Sequence, residues 1–440
     1  MASSSQLRVF SFNCWGLKFV AKDLEQRVQA IANALANTDY DIIALQEIWV
    51  YAHYEHIRNA ISHKLPYAKF FYSGALGAGL AIFTKLPIIN ATVHPYSLNG
   101  EPMDVSAGDW FVGKAAASVT IQHPQLGQVQ IFNTHLFAKG GEDGPEYRRA
   151  HRLVNAWELA KLIRDAAHLG RYVIAIGDYN SIPSTLPIAV LREHGNVQDA
   201  WLVSHPTPPT TSHLTSELSP AEAIEIHGVT ADSPLNSYSA GKPLDPHARK
   251  FMGKRLDYVF YRQPLSLSPS FIPQLTCSSS RVLLTECIPQ SQISFSDHFA
   301  LEAVLDIILP SPATPDELEL SKPHTMLSVS MSEPIISNAS MASTISALTA
   351  CYRFSRQRAK NELIVFGLCL GLLICLMIGS AWIPRSWINP VLVLLTAVLT
   401  WTGTTMLYEG FLFGYWEQNA LMNIIEEMEI LLAANSSRSP

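Results

Sequence analysis

Hydrophobic and polar positions follow two different periods between residues 7 and 309 of the chain. Short apolar runs of strand length predict β-strands at 7–14, 41–48, 79–84, 129–137, 172–178, 256–261 and 298–307. Between them, apolar residues that recur every three or four positions predict helices at 24–35, 147–169 and 186–194. Strands interleaved with helices are typical of an α/β domain with packed sheets, which we place at 1–309.

The pattern changes beyond this domain. Residues 310–350 are rich in Ser, Pro and Thr and predict a linker. Two uncharged runs follow at 363–383 and 386–408, and each has about the ~20 residues that a helix needs to cross a bilayer core. Because only two residues separate the runs, they predict a transmembrane helical hairpin at 363–410. Two buried helices of a soluble core are the alternative.

A basic segment at 351–362 precedes the first apolar run and carries Arg353, Arg356, Arg358 and Lys360. By the positive-inside tendency these charges face the cytosol, and a hairpin returns the chain to the same side. We therefore expect an integral membrane protein with a cytosolic catalytic domain, in the endoplasmic reticulum or a mitochondrial membrane. The same charges predict activation by an anionic phospholipid.

The segment at 411–440 predicts an amphipathic tail helix, with apolar residues opposite Glu426, Glu427 and Glu429. These glutamates would repel an anionic membrane, so we expect the helix to pack on the catalytic domain or on a partner helix. The net charge of −6 argues against nucleic acid as a partner, because a dedicated DNA binder carries a basic stripe. The six cysteines are scattered without metal-site spacing, which argues against zinc and for a reducing compartment. No signal peptide is visible at the N-terminus.

Several short motifs place a polar residue at the end of a predicted strand. These residues are Asn13, Glu47, His135, Asp178, Asn180, Asp257, Asp297 and His298. Carboxylates and amides at several strand ends can converge on one rim, where hard oxygen ligands suit Mg²⁺ or Mn²⁺. Two histidines beside such an ion supply a general base and a donor to phosphate or to the leaving group. Together the motifs predict metal-assisted phosphate chemistry.

In this order the motifs resemble the endonuclease/exonuclease/phosphatase superfamily, whose fold is a four-layered α/β sandwich. The resemblance covers about the first three hundred residues. It implies that Glu47 holds the divalent ion with help from Asn13, and that Asp297 is a carboxylate associated with the metal.

The resemblance also implies the roles of the remaining motif residues. Asp178 and Asn180 are expected to bind and orient the phosphate and the nucleophile. His298 is expected to be the general base, with Asp257 orienting its ring, and His135 to be a second histidine that faces the phosphate. Position 179 is a tyrosine where several branches carry a smaller or aliphatic residue, so the shape around the nucleophile stays open.

Two further segments are similar to a particular branch of this superfamily. Residues 108–114 have the sequence GDWFVGK, and residues 228–236 have the sequence GVTADSPLN. Both resemble eukaryotic neutral sphingomyelinases and the fungal inositol phosphosphingolipid phospholipase C, a branch that also has the membrane hairpin. The resemblance implies that Asp109 and Lys114 are required for activity, and we expect Lys114 to join the phosphate ligands after loop closure. It implies hydrolysis of a membrane phosphosphingolipid to ceramide and a phosphorylated head group.

Other functions and several details stay open. A nuclease does not need a membrane hairpin, and inositol-polyphosphate phosphatases have PAWCDRI where this chain has GKRLDYVF at 253–260. A non-catalytic membrane scaffold would not need the complete set of metal and base residues. Choline would want an aromatic cage and inositol a set of polar donors, and the Pro/Thr/Ser-rich insertion at 206–246 could supply either. The oligomeric state is not predicted.

Overall fold

Two six-stranded β-sheets form the centre of the catalytic domain. The computed structural model describes residues 5–105, 108–139, 146–206, 218–266, 271–310, 336–383 and 385–436. The strands are β1 (Gln6–Asn13), β2 (Ile42–Gln46), β3 (Tyr67–Phe71), β4 (Leu80–Thr84), β5 (Ile88–Pro95), β6 (Ala115–His123), β7 (Gly127–His135), β8 (Tyr172–Asp178), β9 (Gln198–Asp199), β10 (Asp257–Arg262), β11 (Gln274–Leu283) and β12 (Ala300–Ile308). The helices are α1 (Leu24–Ala36), α2 (Tyr51–Ile61), α3 (Glu146–His168), α4 (Leu186–His194), α5 (Ala200–Ser204), α6 (Pro220–His227), α7 (Pro246–Phe251), α8 (Asn338–Ser380), α9 (Asn389–Leu407) and α10 (Gly414–Ser436).

Strand order places the ends of the central strands on one rim. The first sheet has the order β11-β12-β1-β2-β4-β3, with β1 parallel to β2 and antiparallel to β12. The second has the order β5-β6-β7-β8-β10-β9, with β7 parallel to β8 and β8 antiparallel to β10. In this register His135 lies opposite Asp178, which in turn lies opposite Asp257. Three of the predicted site residues are therefore neighbours across one sheet.

Three hydrophobic clusters account for a four-layered arrangement. One fills the space between the sheets and takes residues from both, such as Val9 and Ile42 from the first and Ile131 and Ile174 from the second. A second cluster packs α1 and α2 on the outer face of the first sheet. The third packs α3 and α4 on the outer face of the second. The predicted four-layered α/β sandwich is confirmed.

All seven predicted strands and all three predicted helices of the domain are present. The sequence missed β3, β5, β6, β9 and β11, and also the helices α2, α5, α6 and α7. Strand β6 begins with three alanines and β11 contains three consecutive serines, and these residues have weak β propensity. Their strand structure comes instead from pairing along nearly their full length with β7 and β12. The insertion at 206–246 contains α6, which begins with a capping box formed by Ser219 and Glu222.

The C-terminal helices pack on the catalytic domain before they leave it. Helix α8 begins at Asn338, inside the stretch predicted as a linker, and Ser337 caps it. Its first turns carry Met341 and Leu348, which join the cluster around α3. On α10, Leu421 and Met428 belong to the same cluster. The prediction that the tail helix packs on the catalytic domain is confirmed, and burial of Met341 and Leu348 explains why 338–350 is helical.

Two helical stretches, Asn338–Ser380 and Ser386–Ala434, are long and apolar enough to cross a membrane. Only 6% of the apolar window of each is buried, which does not fit the alternative of two core helices. Large apolar side chains such as Leu368, Val393 and Trp401 are exposed along them. Within the part of the chain that the structure describes, α9 continues through one π-helical segment, Tyr408–Phe413, into α10. The helices are thus compatible with a transmembrane hairpin.

Candidate active site

The amide of Asn13 joins the two sheets at the rim. Its nitrogen donates to Glu47 Oε1 at 3.1 Å and to Asp178 Oδ2 at 2.9 Å. Its oxygen accepts from the backbone N–H of Trp15 at 2.9 Å. Asn13 therefore turns its nitrogen, and not its oxygen, toward the carboxylates, and its role as a metal ligand stays a prediction.

Two residues of the rim have left-handed backbone conformations. Glu47 has a φ of 55° and Asn180 a φ of 47°. This region costs a side chain with a Cβ on the order of 1–2 kcal/mol. Such strain is found at functional sites, where the surrounding structure holds it. Asn13 of the same sheet donates to the Glu47 carboxylate and also to Asp178, which belongs to the second sheet.

His298 is held between two aspartates. Its Nδ1 lies 2.8 Å from Asp257 Oδ2, and its Nε2 lies 3.8 Å from Asp178 Oδ2. Burial alone would lower the pKa of this imidazole, but the charges of Asp257 and Asp178 outweigh burial and raise the pKa well above its usual value. The contact with Asp257 fixes the ring and leaves Nε2 directed into the site, which is the geometry of a positioned general base.

Three carboxylates crowd the rim without enough positive charge to balance them. Burial and the charge of Asp297 raise the pKa of Glu47 to about 7. Burial, with a contribution from Asp257, raises the pKa of Asp178 to about 6, and burial also raises the pKa of Asp297. A divalent cation would relieve this repulsion, and carboxylate oxygens are the ligands that hard cations prefer. The residues present therefore fit a divalent metal.

Lys114 contacts His135 inside the site. Its ammonium group lies 3.1 Å from His135 Nε2 and 2.8 Å from the carbonyl oxygen of Leu136. Burial and the positive charges of Lys114 and His298 hold the pKa of His135 well below its usual value. The neutral ring accepts a hydrogen bond from the ammonium group at Nε2, which lies 3.5 Å from Asp178 Oδ2. In this arrangement His135 does not donate from Nε2, so its expected role as a phosphate donor stays a prediction.

Asp109 completes a buried ion pair with Lys114. Its Oδ1 lies 2.9 Å from the lysine Nζ, and both side chains are almost inaccessible to solvent. With Asp109, His135 and Leu136 as acceptors, all three ammonium protons of Lys114 have partners. Lys114 is therefore already in place without loop closure, and it contacts the imidazole of His135 where a phosphate contact was expected.

We expect Lys114→Met to lower kcat by about 10- to 100-fold, the usual effect of removing a residue that orients a site group. The unpaired Asp109 carboxylate should also lower the thermal unfolding temperature, because an uncompensated buried charge is destabilising. The double variant Asp109→Asn/Lys114→Met removes that charge, so its unfolding temperature should recover while its kcat does not. Wild-type turnover in the double variant would show that the pair serves stability alone.

The segment at 228–236 supports both His298 and Asp257, which the sequence did not reveal. Thr230 accepts from the backbone N–H of Asp257 through its hydroxyl and from the N–H of Phe299 through its carbonyl. Asn236 donates to the carbonyl of Ser296 at 2.8 Å. The motif GVTADSPLN therefore holds the two strand ends that carry the base and its aspartate. The signal available in the sequence was only the resemblance of this segment.

Arg152 is a buried cation of the site that the sequence reasoning also missed. It lies on α3 and donates to the carbonyl of Asn180, and both residues line the same cleft as Asp297 and His298. Its position within the apolar period of the helix was the available signal. Tyr179, by contrast, points away from the site, because its ring is fully buried in the cluster under the second sheet. The tyrosine therefore leaves the space around the nucleophile unobstructed.

Comparison with known proteins places this geometry in a family. The sequence pattern of the Endonuclease/Exonuclease/phosphatase family matches residues 10–298, which include every rim residue described above. Inositol phosphosphingolipids phospholipase C of Schizosaccharomyces pombe is 36% identical over 433 residues, covering 96% of this chain and 94% of that protein. The protein of the same name from Saccharomyces cerevisiae is 30% identical, covering 96% and 89%. Human sphingomyelin phosphodiesterase 2 is 31% identical over 305 residues, covering 69% and 65%.

Both the family match and the similarity to the Schizosaccharomyces pombe protein extend over more than half of the chain. The metal-suited carboxylates, the Asp257–His298 pair and the Asp109–Lys114 pair all lie within the matched residues. This chain belongs to the endonuclease/exonuclease/phosphatase family of hydrolases, in the branch that contains the inositol phosphosphingolipid phospholipases C and the neutral sphingomyelinases.

Proposed function

We propose that this protein is a membrane-anchored phosphodiesterase that hydrolyses phosphosphingolipids to ceramide and a phosphorylated head group. The observation that carries the proposal is the position of His298 between Asp257 and Asp178, beside the crowded carboxylates of Glu47 and Asp297. The names of the relatives support the substrate class. They do not support a nucleic-acid substrate, and the net charge of −6 agrees with that.

His298 removes a proton from the attacking water in this proposal. The water bridges His298 Nε2 and the Asp178 carboxylate from the cleft, because these two atoms are only 3.8 Å apart. Asp257 accepts a hydrogen bond from the Nδ1–H group and stabilises the imidazolium that forms. The water oxygen then bonds to phosphorus, and the bond between phosphorus and the primary oxygen of ceramide breaks. The leaving oxygen takes up a proton to give ceramide.

We assign phosphate binding to other groups that line the same cleft. Asn180 places one amide proton on the Leu136 carbonyl and has a second for a phosphate oxygen. Arg152, which donates to the Asn180 carbonyl, fixes that residue and brings a positive charge to the cleft. Lys114 positions His135 through the contact at 3.1 Å.

Mg²⁺ is the ion that we propose for the carboxylate site, with Mn²⁺ as a substitute. Glu47 and Asp297 would hold it, and Asn13 would contribute if its side-chain amide rotated so that the oxygen faced the ion. When bound, the ion neutralises negative charge on the phosphate as the leaving bond breaks. Oxygen ligands of this kind suit both ions.

The experiment that tests the proposal is product analysis. Purified full-length protein is incubated with vesicles that contain sphingomyelin, inositol phosphoceramide, phosphatidylcholine and phosphatidylinositol, with Mg²⁺ or with EDTA. We expect ceramide and phosphorylated head groups by mass spectrometry, formed only with Mg²⁺. Diacylglycerol as the main product, or cleavage of DNA with no ceramide, would overturn the proposal.

Membrane attachment through the hairpin is part of the same proposal, with the catalytic domain in the cytosol and the endoplasmic reticulum or a mitochondrion as the site. The structure changes one expectation about the basic segment. Arg358 points inward, where it pairs with Glu101 and Glu417. Arg353, Arg356 and Lys360 are exposed and remain available to a lipid surface.

Anionic lipid should therefore act through three charges and not four. Each lysine or arginine near an anionic leaflet contributes about 1 kcal/mol, so the triple change of Arg353, Arg356 and Lys360 to Gln should remove most of the stimulation by phosphatidylserine or cardiolipin. The measurement is turnover in anionic and neutral vesicles at several salt concentrations, since salt screens this attraction. Lys250→Gln, which removes an exposed charge from the catalytic domain, is the matched control. Undiminished stimulation of a normally inserted triple variant would limit the basic segment to setting topology.

A further inference from the structure

Arg27 is a buried cation behind the rim that no step of the proposed reaction uses. It lies on α1, and its side chain is fully buried. Arginine is seldom found in this position unless its guanidinium group has partners. In the described part of the chain, each of its hydrogen-bond acceptors is a backbone carbonyl oxygen. The planar fork of N–H donors is therefore used to hold main chain and not to bind a carboxylate.

The loop that follows β1 is the first of two rim segments that Arg27 holds. Its Nη1 donates to the carbonyl of Cys14 and its Nη2 to the carbonyl of Trp15, both at 2.7 Å. The same loop lies against the end of β2, where the N–H of Gly16 donates to the carbonyl of Glu47 at 2.9 Å. Arg27 and the main chain of Glu47 therefore fix one and the same loop.

The conformation of Trp15 transmits this constraint to the side chain of Asn13. Trp15 has a φ of 44°, a left-handed conformation that a bulky residue keeps only when its surroundings support it. Its N–H donates to Asn13 Oδ1 at 2.9 Å, and the Asn13 nitrogen is thereby directed to Glu47 and Asp178. The bond from Arg27 to the Trp15 carbonyl provides part of the support.

The second rim segment that Arg27 holds leads into β12. Its Nη1 also donates to the carbonyl of Phe295 at 3.3 Å, two residues before Asp297. This one nitrogen thus contacts both Cys14 and Phe295. The loop that leaves Asn13 and the loop that leads to Asp297 are therefore joined through a single side chain, although they are far apart in the sequence.

Two aromatic rings contact the guanidinium group of Arg27. Its carbon lies 4.9 Å from the centre of the Trp15 ring and 5.7 Å from that of the Tyr238 ring, within the range of a cation–π contact. Tyr238 belongs to the insertion between β9 and β10, and its hydroxyl donates to Asp23 at 3.0 Å. The rings and the carbonyls together favour the one orientation in which the fork reaches both loops.

We propose that Arg27 is a positioning residue for the divalent metal site, which it organises by joining the loops of Asn13 and Asp297. The inference rests on the proposed function, because the ion belongs to that proposal. Arg27 contacts neither the ion nor the substrate. With the fork in place, the ion binds to carboxylates that already converge, and without it the two loops move independently. A lysine keeps the charge but lacks the planar fork that reaches both loops.

Binding of Mn²⁺ to full-length protein without substrate, measured by electron paramagnetic resonance, tests this role apart from turnover. Wild type is compared with Arg27→Lys, which loses the fork alone, and with Arg27→Met, which also loses the charge. Arg262→Lys and Arg262→Met are the matched controls. Arg262 is also buried and donates to a backbone carbonyl, that of Gly195, but it lies at the other end of β10 from Asp257. Thermal unfolding identifies the variants that are folded at the temperature of the measurement.

We expect both Arg27 variants to bind Mn²⁺ about 10- to 100-fold more weakly, the usual effect of losing a residue that orients metal ligands. The Mg²⁺ concentration for half-maximal turnover should rise by a similar factor. The Arg262 variants should lower the unfolding temperature and leave Mn²⁺ affinity unchanged. Wild-type Mn²⁺ affinity in the folded Arg27→Lys variant, or an equal loss in the Arg262 variants, would overturn the role of Arg27.

Tyr238→Leu keeps the test decisive if neither Arg27 variant folds. This change removes one ring from the guanidinium group and leaves the carbonyl contacts of Arg27 possible. It should weaken Mn²⁺ binding in the same direction but by a smaller factor, and unchanged affinity would then overturn the proposal. Failure of wild type to bind Mn²⁺ would instead contradict the metal site of the proposed function, so the two failures are separate results.

Discussion

Replacing His298 with alanine is expected to lower kcat by ~10²–10⁴, the usual contribution of a positioned general base. The reason is that Nε2 is the nitrogen that faces Asp178, while Nδ1 is committed to Asp257 at 2.8 Å. Asp257→Asn should give a smaller loss, because an amide can place a donor against the imidazole and turn it away from the water. The measurement is turnover of a phosphosphingolipid in mixed micelles at saturating Mg²⁺.

His63→Ala is the matched control, because this histidine is exposed just beyond the end of α2 and takes no part in the site. Sedimentation with vesicles should show unchanged membrane association for all three variants, since none of them alters the C-terminal helices. If His298→Ala turned over at a rate near that of wild type, another group would have to be the base.

Removing the metal-suited carboxylate is the second change with a large expected effect. Glu47→Ala should lower kcat by roughly 10³-fold at ordinary Mg²⁺ concentrations, because a Lewis acid contributes several kcal/mol of charge stabilisation at the phosphate. Higher Mg²⁺ should recover part of the rate, since Asp297 remains. EDTA should abolish wild-type turnover, and unchanged turnover in EDTA would end the assignment.

The pH dependence of protein stability without metal tests the environment of Glu47 independently of turnover. The pKa of Glu47 is raised to about 7 in the folded protein, so the folded state binds the proton more tightly than the unfolded chain does. Its contribution to stability is present at low pH and is lost as pH rises from the usual carboxyl range through about 7. In EDTA, the unfolding temperature of wild type should therefore fall more between pH 5 and pH 8 than that of Glu47→Gln. An equal pH dependence of the unfolding temperature in wild type and Glu47→Gln would contradict the inference that the carboxylates of the rim repel one another.

Much of the catalytic domain was predictable because its central strands are buried on both faces and appear as continuous apolar runs. Strands β1, β2, β7 and β8 are of this kind, and polar residues at their ends were therefore easy to find. Peripheral strands such as β11 are defined by their partners, and their own composition gives no comparable signal. The same was true of the site. The sequence identified the residues of the rim, but it did not predict the contacts that these residues make.

Contacts between distant segments account for what the sequence missed. Nothing in the order of residues indicates that Lys114 is buried against His135, or that Arg358 faces Glu417. Both were expected to meet phosphate groups, of the substrate and of the membrane respectively. Each is instead directed inward by acidic or neutral acceptors from segments far along the chain.

Helix α8 runs unbroken for 43 residues, from the surface of α3 to the end of the first apolar span. At 1.5 Å per residue the helix is about 65 Å long. It has no break that could act as a hinge between the catalytic domain and the apolar span. With the membrane attachment proposed above, the enzyme would find its substrate by lateral diffusion, in two dimensions. Its reaction rate should depend on the mole fraction of substrate in its own bilayer. It should not depend on the total concentration of vesicles in the assay. Substrate presented on a second, protein-free vesicle should remain intact.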